Sequence, residues 1–307
     1  MNLLKRREMK PACLKRGDTI GVISPASQPD AALLERGIHF LENLGFKVKL
    51  FPHVLNSTGF LAGEDEIRLE DLHSAWEDEE VKMIITSRGG YGCARLLESI
   101  QWERMKKKPK IFMGFSDITV LLNAIYKLTG LVTFHGPMVK TNFSAPSDRT
   151  VDYFLKAISG KRYTVVWEGE YFKAAGDIQG KIIGGCLSLV VSLLGTPYEP
   201  DFADKILFIE EVGEEDYRID RMLFHLKYAG VFKKVKAVLL GYSDIGYDIY
   251  LDFFMKKAEV PLFTGFPAGH GSENITLPIG IPVILYKRRF RPELGLLESP
   301  CSYSYIQ

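Results

Sequence analysis

Residues 110–126, KIFMGFSDITVLLNAIY, change their hydrophobic period in mid-stretch, and that change restricts the chain more than any other feature. Ile111, Phe112 and Met113 form a continuous apolar run, the pattern of a strand buried on both faces. After Asp117 the apolar residues Ile118, Leu121, Leu122 and Ile125 recur at helical spacing. The turn between the two is Gly114-Phe115-Ser116-Asp117. A serine at a tight strand-to-helix turn has its hydroxyl lifted above the C-terminal edge of the sheet, beside N–H groups at the positive end of a helix. Two readings of Ser116 are open on this stretch alone, a helix N-cap and a nucleophile. The full Gly-x-Ser-x-Gly elbow is absent, because Ile118 stands where the second glycine would be.

The same strand–helix alternation runs from Gly17 onward. Residues 19–24 (TIGVIS) read as a first buried strand and residues 31–44 as an amphipathic helix closed by Gly45. Residues 46–51 and 81–86 (VKMIIT) read as two further strands, with a helix between them whose inner face is Leu69, Leu72, Ala75 and Trp76. This pattern predicts a mostly parallel, right-handed sheet with ligands at the C-terminal strand ends. At one such end lies SRGGYGCAR, residues 87–95, with three glycines in four positions before a helix predicted to start near Ala94. Glycines here allow close backbone approach and can aim N–H groups at an anion, either a phosphate or an oxyanion. The segment is neither GxGxxG nor a Walker loop, and a plain glycine turn is the competing reading.

Beyond residue 139 the alternation lapses, and the second half offers short strand candidates at 163–168, 180–183, 206–210, 237–241 and 283–286. Helices are expected near 187–194 and 218–228. We expect two domains, residues 1–140 and 166–307, joined by a connector at 141–165. The second should be a smaller mixed β/α, barrel-like unit. A length of 307 residues with 46% apolar composition can fill two cores.

Two places in this half look chemical. Residues 206–209 form a buried strand that runs into Glu210-Glu211, where an unpaired carboxylate would be costly, so a partner is required. In GFPAGHG, residues 265–271, His270 is held between glycines. Ser116, Glu210 and His270 together supply a nucleophile, a carboxylate and a base.

The net charge of +1 is too small to imply an electrostatically driven nucleic-acid or membrane partner, and the basic runs 106–108 and 287–289 read as solvated faces. Cys13, Cys93, Cys186 and Cys301 form no CxxC pair, which argues against a zinc site and a dense disulfide framework and favours a reducing compartment. No apolar run of membrane-spanning length and no secretory signal pattern are present, so a soluble, cytoplasmic protein is expected.

The stretches GFLAGEDEIRLEDLHSAWED, SRGGYGCARLL, GFSDITVLL, GLVTFHGPM, IIGGCLSLVVSLLGTPY, IEEVGEEDYRIDRML and GFPAGHGSENITLPIG, in this order, resemble the L,D-carboxypeptidase family of serine peptidases, which also contains the microcin C immunity peptidases. The resemblance implies a flavodoxin-like first domain carrying Ser116 as nucleophile and a second domain carrying Glu210 as triad acid and His270 as general base. It implies an oxyanion hole made by the backbone N–H of Asp117 and of a glycine in SRGGYG, assigned to Gly90. It further implies a murein tetrapeptide substrate cut before its terminal D-alanine, a homodimer, and no metal or other cofactor. Arg88 is the candidate cation for the substrate carboxylate, against the reading of a surface arginine paired with a nearby acid. Two positions depart from the family pattern: Cys186 stands where asparagine is common, and Glu211 where aspartate is common. The alternatives are a microcin-type amidase acting on an acyl-sulfamoyl adenylate or aminoacyl nucleotide, and a noncatalytic binder of nucleotides or peptides.

Overall fold

The computed structural model describes residues 8–303. The first half supplies strands β1 (Thr19–Ile23), β2 (Lys47–Leu50), β3 (Val81–Thr86), β4 (Ile111–Gly114) and β5 (Thr133–His135). The second half supplies β6 (Thr164–Val166), β7 (Tyr171–Phe172), β8 (Ile178–Cys186), β9 (Lys205–Glu211), β10 (Ala237–Ser243), β11 (Leu262–Phe263), β12 (Leu277–Ile279), β13 (Pro282–Tyr286) and β14 (Glu293–Leu296).

The first sheet has the order β12-β5-β4-β3-β1-β2. Its five N-terminal strands are parallel and follow the flavodoxin-like order, with the topological switch point between β1 and β3. The central strands β1, β3 and β4 are apolar and almost wholly buried because helices cover both faces. One cover is the helix Ala31–Asn43, started by Asp30, whose Oδ1 accepts the Leu33 N–H at 2.9 Å. It buries Leu34, Gly37 and Leu41, and a Cβ on Gly37 would stand 2.2 Å from the Val139 carbonyl oxygen.

The sixth strand comes from far along the chain. β12 pairs antiparallel with β5, setting Leu277 opposite His135. The apolar stretch at 275–279 thereby covers the β5 edge of the first sheet.

The second sheet, order β6-β14-β13-β8-β9-β10-β11-β7, departs from expectation in two ways. It has eight strands against six, so it is not the smaller sheet, and it is open, with β6 and β7 as distinct edges. Those edges are only three and two residues long, and each pairs with one neighbour. The stretch after the glycine loop also differs: residues Cys93–Leu96 form a single 3-10 turn in place of the expected helix.

Helix Thr119–Thr129 binds the two sheets together. Residues 119–125 are all buried. Asn123 donates to the Gly184 carbonyl at 2.9 Å and accepts the Gly184 N–H at 3.0 Å, while Thr119 Oγ1 accepts the Cys186 N–H at 3.0 Å. These bonds satisfy buried groups at the end of β8, which is paired with β9 through Cys186 but with β13 only through Lys181. They also fix the turn that starts this helix relative to β8 and its neighbour β9.

Candidate active site

β4 ends on Gly114, where a Cβ would stand 2.5 Å from Thr86 Oγ1 and 3.0 Å from Ile118. The chain then passes through Phe115, fully extended at φ −153° and ψ −170°, to Ser116 at φ +61°. A non-glycine residue in the left-handed region costs on the order of 1–3 kcal/mol and persists only where surrounding packing imposes it. Here the buried Phe115 and Ile118 impose it. Residues Ser116–Ile118 form a 3-10 turn that leads into helix Thr119–Thr129; the N-cap positions are Phe115 and Ile118, and the Ser116 hydroxyl makes no capping hydrogen bond among the described residues. Of the two readings of this serine, the cap is therefore not realised.

The glycine loop after β3 lies directly against this turn. A Cβ on Gly89 would stand 2.7 Å from Ser116 Cβ, 2.9 Å from Ser116 Oγ and 3.4 Å from the Asp117 nitrogen, so only glycine admits this approach. Gly90 has φ +113°, and a Cβ there would meet Ser27 Oγ at 2.3 Å. Ser27, in the loop after β1, accepts the Tyr91 N–H on Oγ at 3.1 Å and donates from its backbone N–H to the Gly89 carbonyl at 3.3 Å. The buried Asp117 carboxylate accepts the Cys93 N–H at 2.8 Å, tying the far end of the loop to the serine turn. Burial raises the Asp117 carboxyl above its usual range, and these hydrogen bonds oppose the rise.

The acid and the base come from the second half. Glu210 lies near the end of β9, opposite Cys186 of β8, with a side chain that is fully buried. Its Oε2 is 2.7 Å from His270 Nδ1. With the carboxylate ionised, this bond places the imidazole proton on Nδ1 and leaves Nε2 free to accept one. Gly269 permits the approach, because a Cβ there would stand 2.5 Å from Glu210 Oε2, and its N–H is held by Asn274 Oδ1 at 3.1 Å. Burial alone would push the His270 imidazole down, but the hydrogen bond and charge of Glu210, with Glu211 and Asp244 behind, raise it above the ordinary value. The His270 ring packs edge-on against Phe115, the residue before the serine, at 4.8 Å between centroids. The two halves of the site thus meet at this contact.

Glu211 points to the opposite face of β9, as alternate strand residues do. It accepts the N–H groups of Ser188 at 2.7 Å and Val212 at 3.1 Å and lies 3.4 Å from Cys186 Sγ. Burial raises both the Glu211 carboxyl and the Cys186 thiol. Cys186 therefore offers Glu211 a weak neutral donor where an amide would give a stronger one.

The Ser116 hydroxyl makes no hydrogen bond among the described residues, to His270 included. Catalytic hydrogen bonds of substrate-free enzymes are often long and tighten only around substrate. Arg88, half-buried beside the loop, donates to the Gln28 carbonyl at 3.3 Å and makes no ion pair among the described residues. The exposed rings of Phe60 and Tyr91 stack edge to face at 5.3 Å beside the same loop. A cavity of about 850 Å³, lined in part by Lys127, Lys181, Lys205 and Lys236, contains none of the candidate residues.

Sequence reasoning missed Gly89, Ser27 and Asn274. The first two could have been found from the switch point, where the loops after β1 and β3 must face each other. It also missed His135, fully buried, whose ring contacts Phe115 at 5.8 Å and Phe208 at 4.8 Å. Burial and the neighbouring His270 lower its pKa to about 3, so it is a neutral wall of the site.

Residues 20–136 match the family model of the LD-carboxypeptidase N-terminal domain, and residues 179–285 that of the LD-carboxypeptidase C-terminal domain. The probable murein peptide carboxypeptidase of Bacillus subtilis is 40% identical over 285 residues, covering 88% of this chain and 89% of its own. The crystal structure of muramoyltetrapeptide carboxypeptidase from Oxalobacter formigenes superposes with a TM-score of 0.82 at 31% identity, covering 93% of this chain and 99% of that one. An MccF-like protein of Bacillus anthracis superposes with a TM-score of 0.87 at 30% identity, covering 94% and 99%. With both of its halves matched in order, and the serine turn and acid–base pair each inside a matched half, the chain belongs to the LD-carboxypeptidase family.

Proposed function

We propose that this protein is a serine carboxypeptidase that releases the terminal D-alanine from murein tetrapeptides, with Ser116, His270 and Glu210 as nucleophile, general base and orienting acid. The observation that carries the reading is the 2.7 Å bond from His270 Nδ1 to a fully buried Glu210, set against the strained Ser116 turn by the Phe115–His270 contact. His270 Nε2 takes the Ser116 proton as Oγ attacks the carbonyl carbon. The C–N bond then breaks, the proton passes from His270 to the amine, and D-alanine leaves. Water attacks the acyl ester with His270 again as base, which frees the tripeptide and restores the serine. The oxyanion of each tetrahedral intermediate is assigned to the N–H groups of Asp117 and Gly90. Arg88, which makes no ion pair among the described residues, is assigned to the substrate's terminal carboxylate.

In this reading residues 1–140 supply the serine and residues 166–307 the acid and base, joined by 141–165. We assign the enzyme to the cytoplasm as a homodimer. The four unpaired cysteines fit a reducing compartment, and light scattering on the purified protein reads the oligomer. Among the described residues no helix is long and apolar enough to cross a membrane.

The likeness to an MccF-like protein favours a second reading, an amidase acting on acyl-sulfamoyl adenylates. Purified protein is assayed for D-alanine release from murein tetrapeptide in its diaminopimelate and lysine forms, and in parallel for hydrolysis of an aminoacyl-sulfamoyl adenosine. The carboxypeptidase reading requires kcat/KM for one tetrapeptide at least tenfold above that for the nucleotide conjugate. The reverse ratio would replace it with the amidase.

A further inference from the structure

Arg68 lies on the helix Asp65–Glu77, and its side chain is completely buried. Its guanidinium makes no hydrogen bond or ion pair with Ser116, Glu210 or His270. It donates from Nε to the Gly63 carbonyl at 3.1 Å, from Nη1 to the Gly92 carbonyl at 3.1 Å and also to the Pro25 carbonyl. Nη2 pairs with Asp65, a carboxylate that Arg95 Nε also holds at 2.8 and 2.9 Å. Taking a guanidinium wholly out of water is unfavourable unless its donors are all used. Here they gather three backbone carbonyls from three separate segments that meet at the switch point of the first sheet.

Those segments border the glycine loop. Its start is fixed by the Ser87 N–H bond to the Ile23 carbonyl at 2.8 Å and by the Ser24–Ser87 hydroxyl pair at 2.6 Å. Its middle is tied to the loop after β1 through Ser27, and its end is held at Gly92 by Arg68 and at Cys93 by Asp117. Gly92 has φ +131°, and a Cβ there would stand 2.7 Å from Arg68 Nη1. Without the guanidinium, the Pro25 and Gly92 carbonyls would be two buried acceptors facing each other with no donor between them. The Gly89–Gly90 backbone between the anchors would then lose its set conformation beside Ser116.

We propose that Arg68 is a positioning residue for the anion-binding loop: by drawing the carbonyls of Pro25, Gly63 and Gly92 onto one planar guanidinium, it sets the Gly89–Gly90 backbone against Ser116 and so determines oxyanion stabilisation without touching substrate. The inference rests on the assignment of Ser116 as nucleophile. A lysine cannot replace the arginine, because an ammonium has no rigid fork of donors to span carbonyls on two sides of a plane. The buried Asp117 carboxylate, lowered in pKa by the Arg68 charge against the larger raising effect of burial, is a further link between this cation and the serine turn.

The test compares wild type with Arg68→Lys by three readouts: the rate of phosphonylation of Ser116 by a fluorophosphonate, located by peptide mass spectrometry; kcat and KM for murein tetrapeptide; and the thermal midpoint. Positioning predicts a folded variant in which phosphonylation and kcat both fall roughly 10²–10³-fold, the range for loss of one oxyanion donor, with KM within about threefold. A folded Arg68→Lys that phosphonylates at the wild-type rate, or that raises KM at unchanged kcat, overturns the proposal. Should Arg68→Lys fail to fold, Gly92→Ala perturbs the same contact while keeping the cation paired. The same selective loss of kcat supports the proposal, and wild-type kcat overturns it. Wild-type protein that neither reacts at Ser116 nor turns over rejects the nucleophile assignment and this inference together. Equal phosphonylation of wild type and Arg68→Lys rejects this inference alone.

Discussion

Replacing Glu210 by glutamine tests the acid–base pair with little change in shape. The wild-type carboxylate is fully buried and lies 2.7 Å from His270 Nδ1, and its Oε1 has no partner among the described residues. As the serine loses its proton, an imidazolium forms beside this carboxylate. Two unit charges about 4 Å apart at an effective dielectric near 20 attract by about 4 kcal/mol. Losing that attraction lowers the rate by about 10³-fold at roughly 1.4 kcal/mol per decade. Glutamine can also turn its amide donor toward Nδ1, which moves the imidazole proton to Nε2, where it blocks the serine. The same kind of substitution in a serine protease triad lowers kcat about 10⁴-fold, so a loss of about 10³–10⁴ is expected here.

The pH profile supplies a second reading of the same variant. His270 must be neutral to act as base, and its pKa is raised above 6.5, so wild-type kcat/KM should rise with pH along a limb centred above 6.5. In Glu210→Gln the burial that lowers the His270 pKa persists, while the largest opposing effect is gone. The limb should then move below 6.5. Stability should hold or increase, because a buried charge is removed and nothing charged is left unpaired. The assay is D-alanine release from tetrapeptide between about pH 5 and pH 9, with circular dichroism as the folding control. A folded variant within tenfold of wild-type kcat, or with its limb still above 6.5, would refute the assignment of Glu210.

Gly89→Ala should fold yet lose at least about 10²-fold in kcat, since its new methyl would stand 2.7 Å from Ser116 Cβ and intrude where the tetrahedral intermediate forms; steady-state kinetics and fluorophosphonate reactivity read this together. Asn123→Ala strips Gly184 of a donor and an acceptor in a buried setting, so urea unfolding should show a loss of about 2–4 kcal/mol. Linkage at His270 gives a third expectation. Its folded pKa is raised, so the protonated form contributes stability that is fully present below about pH 6.5 and lost as pH rises through the folded value. Wild-type stability should therefore fall over that window relative to Glu210→Gln, and parallel slopes in urea titrations across it would contradict the coupling.

The first sheet was readable from the sequence because a strand buried on both faces needs a continuous apolar run, and β3 and β4 have one each. Ser116 and His270 were readable because each sits among residues that force an unusual backbone, a buried strand end before the serine and glycines around the histidine. That they belong to one site came from the family resemblance and not from spacing, since the contact runs through Phe115 and Glu210 from elements more than ninety residues apart in the chain. The crossing of β12 to the first sheet was also hidden: Leu277, Pro278 and Ile279 carry no sign of which edge they join, and the proline points away from a strand interior. β7 and β11 have two residues each and no detectable period. Arg68 lies in DEIRLEDLHSAWE, where spacing suggests an exposed partner for Asp65, and only the tertiary fold shows it to be buried beneath three loops.

The central claim is that Ser116 is the nucleophile, and the most direct measurement is D-alanine release from murein tetrapeptide by wild type and by Ser116→Ala, each verified as folded. The account predicts release by wild type and a fall in kcat of roughly 10⁴-fold or more for Ser116→Ala. Release by folded Ser116→Ala at a rate near that of wild type would contradict it.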